Sequence, residues 1–391
     1  MQTVFMSTRN PIYADNAATT QLDPAVLDAM LPFLRDSYGN PSSLYSFSRS
    51  AKKALQEARN TIAECIGALP EEIIFTSGGS ESDNWAIKNF AFAAPQTKRQ
   101  ILTSPIEHHA ILNSCAEAVR LFGCSTGCVA VDKFGTIDID DFRAKLSENT
   151  AGVSIMLANN EVGTIQDIKT LAAIAHEHNT LFHTDAVQAI GHIPVNVQEI
   201  GVDMLSASAH KFNGPKGIGF LFAKRGTSLV SFVNGGQQEF ARRAGTENVA
   251  SIVGMATALK NNCSQMHENT LKLQNMETLF KEVISESVSN VVFNGDPVHH
   301  LPGLISLSIP GASGESLLHI LDLKGIAVST GAACNSKDTE ISHVLKAMNH
   351  PEDLAKGTLR VSFGKYNTLE DAEKMADAII QCIRKVKIRK N

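Results

Sequence analysis

The 391-residue chain reads as an α/β protein: a mainly parallel sheet with helices on its faces, followed by a second, smaller unit. Three observations predict this. Short apolar runs alternate with amphipathic helical stretches along most of the chain. His108, Asn160, Asp185 and Lys211 all stand just past predicted strand ends, where ligands lie in sheets of this kind. The length also exceeds what one ordinary core serves, which argues for two domains.

The elements follow in order. Asp23-Pro24 opens a helix that runs to about Arg35, with the aspartate as cap and the proline in the first turn. Gly39–Ser43 breaks the chain, and Ser50–Ile66 has apolar residues at helical spacing. Glu72–Thr76 is a short buried strand, and a helix is predicted from Asp83 to about Ala93 after the turn Ser77-Gly78-Gly79-Ser80-Glu81-Ser82. A strand over Gln100–Ser104 precedes Glu107-His108 and a helix to about Phe122. Ala151–Ala158 is strand-like, Asp167–His178 helical, and Thr180–Thr184 a strand ending at Asp185. Val202–Leu205 and Ile218–Ala223 are apolar runs flanking Ser206–Lys211 and a glycine-rich turn. A long helical stretch covers Asn248 to about Ser287. Beyond it come strands Val291–Phe293 and Leu304–Ile309, helix Gly314–Asp322, and strand Ile326–Ser329. A small-residue loop with Cys334, helix Ser342–Met348, strand Thr358–Phe363 and a last amphipathic helix from Thr368 complete the chain.

Composition narrows the class. A net charge of −5 and a pI near 6.2 argue against a protein that coats nucleic acid. No apolar run has the length of a membrane span, and Met1–Asn10 lacks a signal-peptide core. Seven scattered cysteines read as reduced thiols in a cytoplasmic protein. Cys65, Cys115 and Cys382 fall in periodic apolar stretches and read as buried structural residues. Cys124 and Cys128 lack the second ligand pair a zinc site needs, so no metal is expected.

Lys211, among small neighbours that leave room for a bulky group, is either a turn lysine or a nucleophilic amine whose pKa a second cation, His210, would lower. The Ser77–Ser82 turn before a helix suits an anion but also a plain loop; it lacks the Lys-Ser/Thr ending of a Walker loop. Pyridoxal phosphate needs a lysine, a carboxylate at the pyridine nitrogen and an anion cradle. Lys211, Asp185 and the Ser77–Ser82 turn can supply them, with His108 to cover the ring and Gln188 to contact its hydroxyl. Arg360 is a carboxylate clamp or an exposed strand arginine. Cys334, in a small-residue loop near Lys337, is a reactive thiolate or an exposed bystander.

These residues resemble those of the pyridoxal-phosphate-dependent cysteine desulfurases, the NifS/IscS-like group of the class V aminotransferases. The resemblance spans nearly the whole chain. It rests on Tyr13–Thr20, Gly39–Ser43, Phe75–Asn84, Glu107-His108, Asn159–Gly163, His183–Asp185, the Lys211 stretch, Arg243–Asn248 and the Cys334 loop. It implies fold type I, with a seven-stranded, mainly parallel sheet in a large domain (16–258). A small α+β domain (1–15 and 259–391) would carry the cysteine loop. It implies conversion of L-cysteine to L-alanine with transfer of sulfur to Cys334 as a persulfide. Lys211 would be the Schiff-base lysine and proton shuttle, Asp185 the partner of the pyridine nitrogen, and Gln188 that of the ring hydroxyl. His108 would stack on the ring and join proton transfers, and Gly79, Ser80, Ser208 and His210 would hold the phosphate. Thr246 would reach the phosphate of a second copy in a homodimer, while Asn160 and Arg360 would grip the substrate carboxylate. A sulfur-acceptor protein is implied as partner, serving iron–sulfur assembly, tRNA thiolation or DNA phosphorothioation.

Two stretches depart from the family pattern, with Tyr45 and Ser48 in one and Phe240 and Ala241 in the other. The competing readings are another class V enzyme, such as a selenocysteine lyase or an aminotransferase, and a non-enzymatic scaffold for sulfur-transfer partners.

Overall fold

The computed structural model describes residues 11–95, 97–331 and 341–388; Cys334 lies outside the described residues. A two-residue strand, β1 (Ile12–Tyr13), precedes helices α1 (Pro24–Arg35) and α2 (Arg49–Ile66). α1 starts as its sequence dictates, with the Asp23 carboxylate accepting from the Ala25 N–H at 2.9 Å and proline in the first turn. There follow β2 (Ile73–Thr76), α3 (Gly79–Ala93), β3 (Gln100–Thr103), α4 (His109–Phe122), β4 (Ser125–Cys128) and α5 (Ile139–Lys145). Then come β5 (Thr150–Ser154), α6 (Ile168–Glu177), β6 (Leu181–Asp185), β7 (Met204–Ser208) and β8 (Gly219–Ala223).

β2 to β8 form the seven-stranded sheet that was expected, in the order β2-β8-β7-β6-β5-β3-β4. It is mainly parallel; only β8 runs against its neighbours β2 and β7. Every residue of β2, β5, β7 and β8 is buried, as strands covered on both faces require. Close packing reaches the backbone at Gly152 in β5, where the Phe90 ring of α3 lies 2.2 Å from where a Cβ would stand.

Several details differ from the sequence reading. β1, β4 and α5 were not anticipated: β4 is a mostly exposed edge strand of Ser, Thr, Gly and Cys, with no apolar alternation to mark it. α5 is short and held by its cap, Asp138, which accepts from the N–H groups of Asp140 and Asp141. The stretch 248–287 is two helices, Val249–Ser264 and Met266–Ser287, separated at Gln265.

The helix Val249–Ser264 packs along α1 and α2. Met266–Ser287 instead joins a second core, with Met276, Phe280 and Ile284 against Leu307, Leu359 and Ile379. β9 (Val292–Asn294), β10 (Leu304–Ser308) and β12 (Thr358–Ser362) form an antiparallel sheet in that core, and β11 (Ile326–Ala327) pairs in parallel with β1. The Asp15–Ser362 bridge continues the β1 segment onto β12 and so carries Arg360 toward the central sheet.

The segment Glu239-Phe240-Ala241 has three successive left-handed residues, with φ of 46°, 59° and 61°. Such backbone costs of order 1–3 kcal/mol per residue and persists only where its surroundings enforce it. Here the enforcing group is Arg59 of α2, whose guanidinium grips the buried Glu239 carboxylate at 2.9 and 2.6 Å. The Phe75 N–H donates to the same carboxylate. Two of the family departures, Phe240 and Ala241, therefore sit in a strained turn pinned to the large core, a few residues before Thr246.

Candidate active site

The carboxyl ends of β2, β6 and β7 open on one cavity of about 580 Å3. Lys211, Asp185, Gln188, His108, Gly79, Ser80, Ser208, His210, Asn160 and Arg360 all line it. Thr246 does not; it is exposed on the surface of this chain. Of the expected site residues Cys334 alone lies outside the described ones.

Lys211 ends a single helical turn, Ala209–Lys211, set off by the end of β7. It is half-buried, and its Nζ donates to the carbonyls of Ala17 (2.5 Å) and Ala18 (2.8 Å). Its own carbonyl is held by His192 at 2.8 Å. This is a positioned amine, not a solvated turn lysine. His210 is not its cationic neighbour: burial, then Lys211 and Lys216, push the imidazole down to about 4, so it is neutral at pH 7. A neutral His210 whose Nδ1 faces the Thr19 hydroxyl can still offer its other ring nitrogen to an anion.

Asp185 is the last residue of β6 and is 5% exposed. Burial raises its pKa, countered in part by the Val187 N–H, His108 and Lys211. A buried carboxylate held by one peptide N–H is a ready partner for a cationic N–H in the cavity. Behind it lies a network that sequence reasoning missed. His183 bonds Ser154 and Ser206 through its two ring nitrogens, both at 2.9 Å, and burial depresses its pKa to about 3. It is neutral, so its 3.9 Å approach to Asp83 is not an ion pair. Asp83 has its own pKa raised well above the usual range, by burial first and Asp185 next. Asp83, in the second turn of α3, falls within the Phe75–Asn84 stretch, but its sequence neighbours assign it no role.

His108 caps α4, its Nδ1 accepting from the Ala110 N–H at 3.1 Å. That bond leaves Nε2 as the protonated nitrogen of the neutral ring, and burial lowers the pKa. Its neighbour Glu107 is fully buried, with Oε1 accepting from the Ser104 hydroxyl and the Met156 N–H and Oε2 unpartnered. Burial raises its pKa from 4.5 to about 8. An acid whose folded pKa is raised holds its proton more tightly when folded. Its stabilising contribution is complete below pH 4.5 and is lost as pH climbs to about 8. Urea denaturation of the cofactor-free chain is therefore expected to show stability falling across that window, and Glu107→Gln is expected to flatten the fall.

α3 begins at Gly79, four residues before the expected Asp83, so the Gly78–Ser80 turn is itself the helix start. Gly78 adopts φ 151°, ψ −177°, a region reserved for glycine, and a Cβ on Gly79 would stand 2.6 Å from Val187. The result is a 15-residue helix whose free N–H groups face the cavity beside Ser208, His210 and Lys216. Across the cavity, Arg360 is 4% exposed, so the exposed-arginine alternative does not hold. It donates to Asp15 Oδ1 at 2.7 Å and the Asn160 carbonyl at 2.9 Å, leaving Nε buried without a partner.

The model of the family described as aminotransferase class-V matches residues 12–375. The chain belongs to the class-V aminotransferase family. Among its class-V relatives, it is 46% identical to cysteine desulfurase IscS of Dictyoglomus turgidum, over 97% of this chain and 96% of that one. A solved NifS-like protein superposes with a TM-score of 0.90 at 35% identity, over 96% of this chain and 99% of that one. A structure described as SspA in complex with cysteine gives 0.81 at 33% identity, over 91% and 100%. These relatives place the chain among the cysteine desulfurases of the class-V family, which are pyridoxal-phosphate-dependent enzymes. The chemistry of the cavity fits that cofactor: a positioned amine, a buried carboxylate held by one peptide N–H and a glycine-built helix start share one chamber.

Proposed function

We propose that this class-V enzyme takes the sulfur of L-cysteine onto Cys334 as a persulfide, releases L-alanine and hands the sulfur to an acceptor protein. The observation that carries the reading is the convergence of Lys211, Asp185, the α3 start and Arg360 on one cavity. The cysteine-bound relative supports the choice of substrate.

Pyridoxal phosphate, when bound, supplies an electron sink for bonds made and broken at the substrate's carbons. Lys211 would tether it and move the proton at the substrate carbon, from a position fixed by two carbonyls. Asp185 would pair with the pyridine nitrogen, Gln188 would contact the ring hydroxyl and His108 would stack on the ring. Gly79, Ser80, Ser208 and His210 would hold the phosphate. Asn160 and Arg360 orient the substrate carboxylate, which meets the buried guanidinium across from the anion cradle. As the substrate's C–S bond breaks, an S–S bond forms to the Cys334 thiolate. The carbon keeps the electron pair and gains a proton, leaving as alanine. Thr246, exposed here, serves the phosphate of a second copy in a homodimer.

We assign the large domain to 16–258 and the small one to 1–15 and 259–391, with cytoplasmic residence. No helix among the described residues is long and apolar enough to cross a membrane.

Cys334→Ser separates the chemistry from the binding. The variant is expected to keep the visible absorbance of the bound cofactor and to lose sulfide and persulfide formation from cysteine. Sulfide release at the parent rate from that variant would sink the persulfide reading.

A further inference from the structure

Cys65 is not the buried structural thiol that its apolar stretch suggests; like Cys263, it is half-buried. Cys65 lies one residue from the end of α2, and Cys263 one residue from the end of the helix Val249–Ser264. The two helices pack side by side, and both cysteines are half-buried free thiols. They line a second cavity of about 320 Å3, which shares no lining residue with the active site. Ile66, Ile190, Pro194, Leu259 and Met266 make most of its wall apolar. Both thiols line this one cavity, each in the last turn of its helix, and each is the other's dominant electrostatic neighbour. The neighbouring thiol raises the pKa of Cys65, with burial adding to it, and lowers that of Cys263, which makes Cys263 the readier thiolate of the two. By contrast, Cys115, Cys124 and Cys382 are buried.

We propose that Cys65 and Cys263 form a reversible dithiol–disulfide site, oxidised by peroxides, that clamps α2 to the helix Val249–Ser264. The Cys263 thiolate attacks one peroxide oxygen; the O–O bond breaks, a sulfenic acid forms and the other oxygen leaves as water after taking a proton. The Cys65 sulfur then displaces the sulfenic oxygen, which departs as a second water, and the S–S bond closes. The two sulfurs together lose two electrons, and the peroxide gains them. A dithiol reductant reverses the step by exchange. The clamp joins segments almost 200 residues apart in the chain, and a cross-link over so long a loop removes much freedom from the unfolded state. The second of the clamped helices leads at Gln265 into Met266–Ser287 of the smaller core.

The test uses the full chain with its cofactor bound, exposed to a small molar excess of hydrogen peroxide. Remaining thiols are alkylated, and the unreduced digest is analysed by mass spectrometry. The expected result is a peptide pair joining Cys65 to Cys263, two hydrogens lighter than its parts and cleaved by dithiothreitol. It should come from monomer-sized chains on a non-reducing denaturing gel. The oxidised protein should melt several degrees higher than the reduced one, and Cys65→Ser should abolish both the link and the shift. Full alkylation of both cysteines after peroxide, sulfinic acid at either without a link, or a link found only between two chains would overturn the proposal.

Discussion

Replacing Lys211 by alanine is expected to lower turnover of cysteine by about 10⁴-fold or more, since the substitution removes a covalent tether and a proton carrier together. The structure offers no substitute. Among the residues lining the cavity, Lys216 is the only other lysine, and it stands beside the glycine turn Gly214–Gly219 with an exposed side chain. Without the Lys211 amine the Ala17 carbonyl keeps its bond from the Gln188 amide at 2.8 Å, and the Ala18 carbonyl belongs to a half-buried residue, so folding should survive. The measurement is twofold: steady-state sulfide or alanine production, and retention of the reduced cofactor's near-ultraviolet absorbance and fluorescence on the protein after borohydride reduction and gel filtration under denaturing conditions. The parent should carry the reduced cofactor through denaturation and Lys211→Ala should not. Covalent retention in the variant would show that another amine is the tether.

Asp185→Asn is expected to separate activity from stability. The amide keeps the shape of the carboxylate and can still accept the 2.9 Å bond from the Val187 N–H. It cannot supply a negative charge to a cationic ring nitrogen, and loss of one preorganised electrostatic partner costs about 10²–10³-fold in kcat. Stability should move the other way in the cofactor-free chain. Burial raises the Asp185 pKa, so its ionised form is a burden that grows as pH rises above the ordinary carboxylate range. The asparagine variant should be the more stable protein at neutral pH, and the advantage should disappear in acid. Denaturant titrations at pH 4 and 7, set beside kcat on the reconstituted enzyme, test both halves. Unchanged kcat would remove Asp185 from the catalytic constellation.

The parts legible in the sequence are those with a local signature. Asp23-Pro24 marked the start of α1, and the apolar runs before Asp185 and Lys211 marked β6 and β7. Residues just past strand ends marked the cavity, because the sheet topology places all those ends on one edge. The illegible parts depend on partners far along the chain. The β4 edge strand has too little burial to show periodicity. The helix start at Gly79 was hidden because two glycines and a serine read as a loop until Val187 and Ser208 enclose them. Asp83, His183 and Ser206 meet only after three elements have packed, and nothing near any one of them announces it. Arg360 reads locally as a strand arginine; Asp15, almost the whole chain away, brings it inside.

The order of strands in the central sheet also governs the chain's biogenesis. β2 pairs with β8 alone, at the sheet edge, and about 140 residues separate them; at roughly 5–20 residues per second the ribosome leaves β2 unpaired for about 7–30 s. During that interval the apolar run Ile73-Ile74-Phe75 is an open template for a neighbouring nascent chain. β1 waits longer still, for β11 near residue 326. Slowing translation between β2 and β8 should therefore lower the soluble yield of this protein, whereas slowing it after β12 should not.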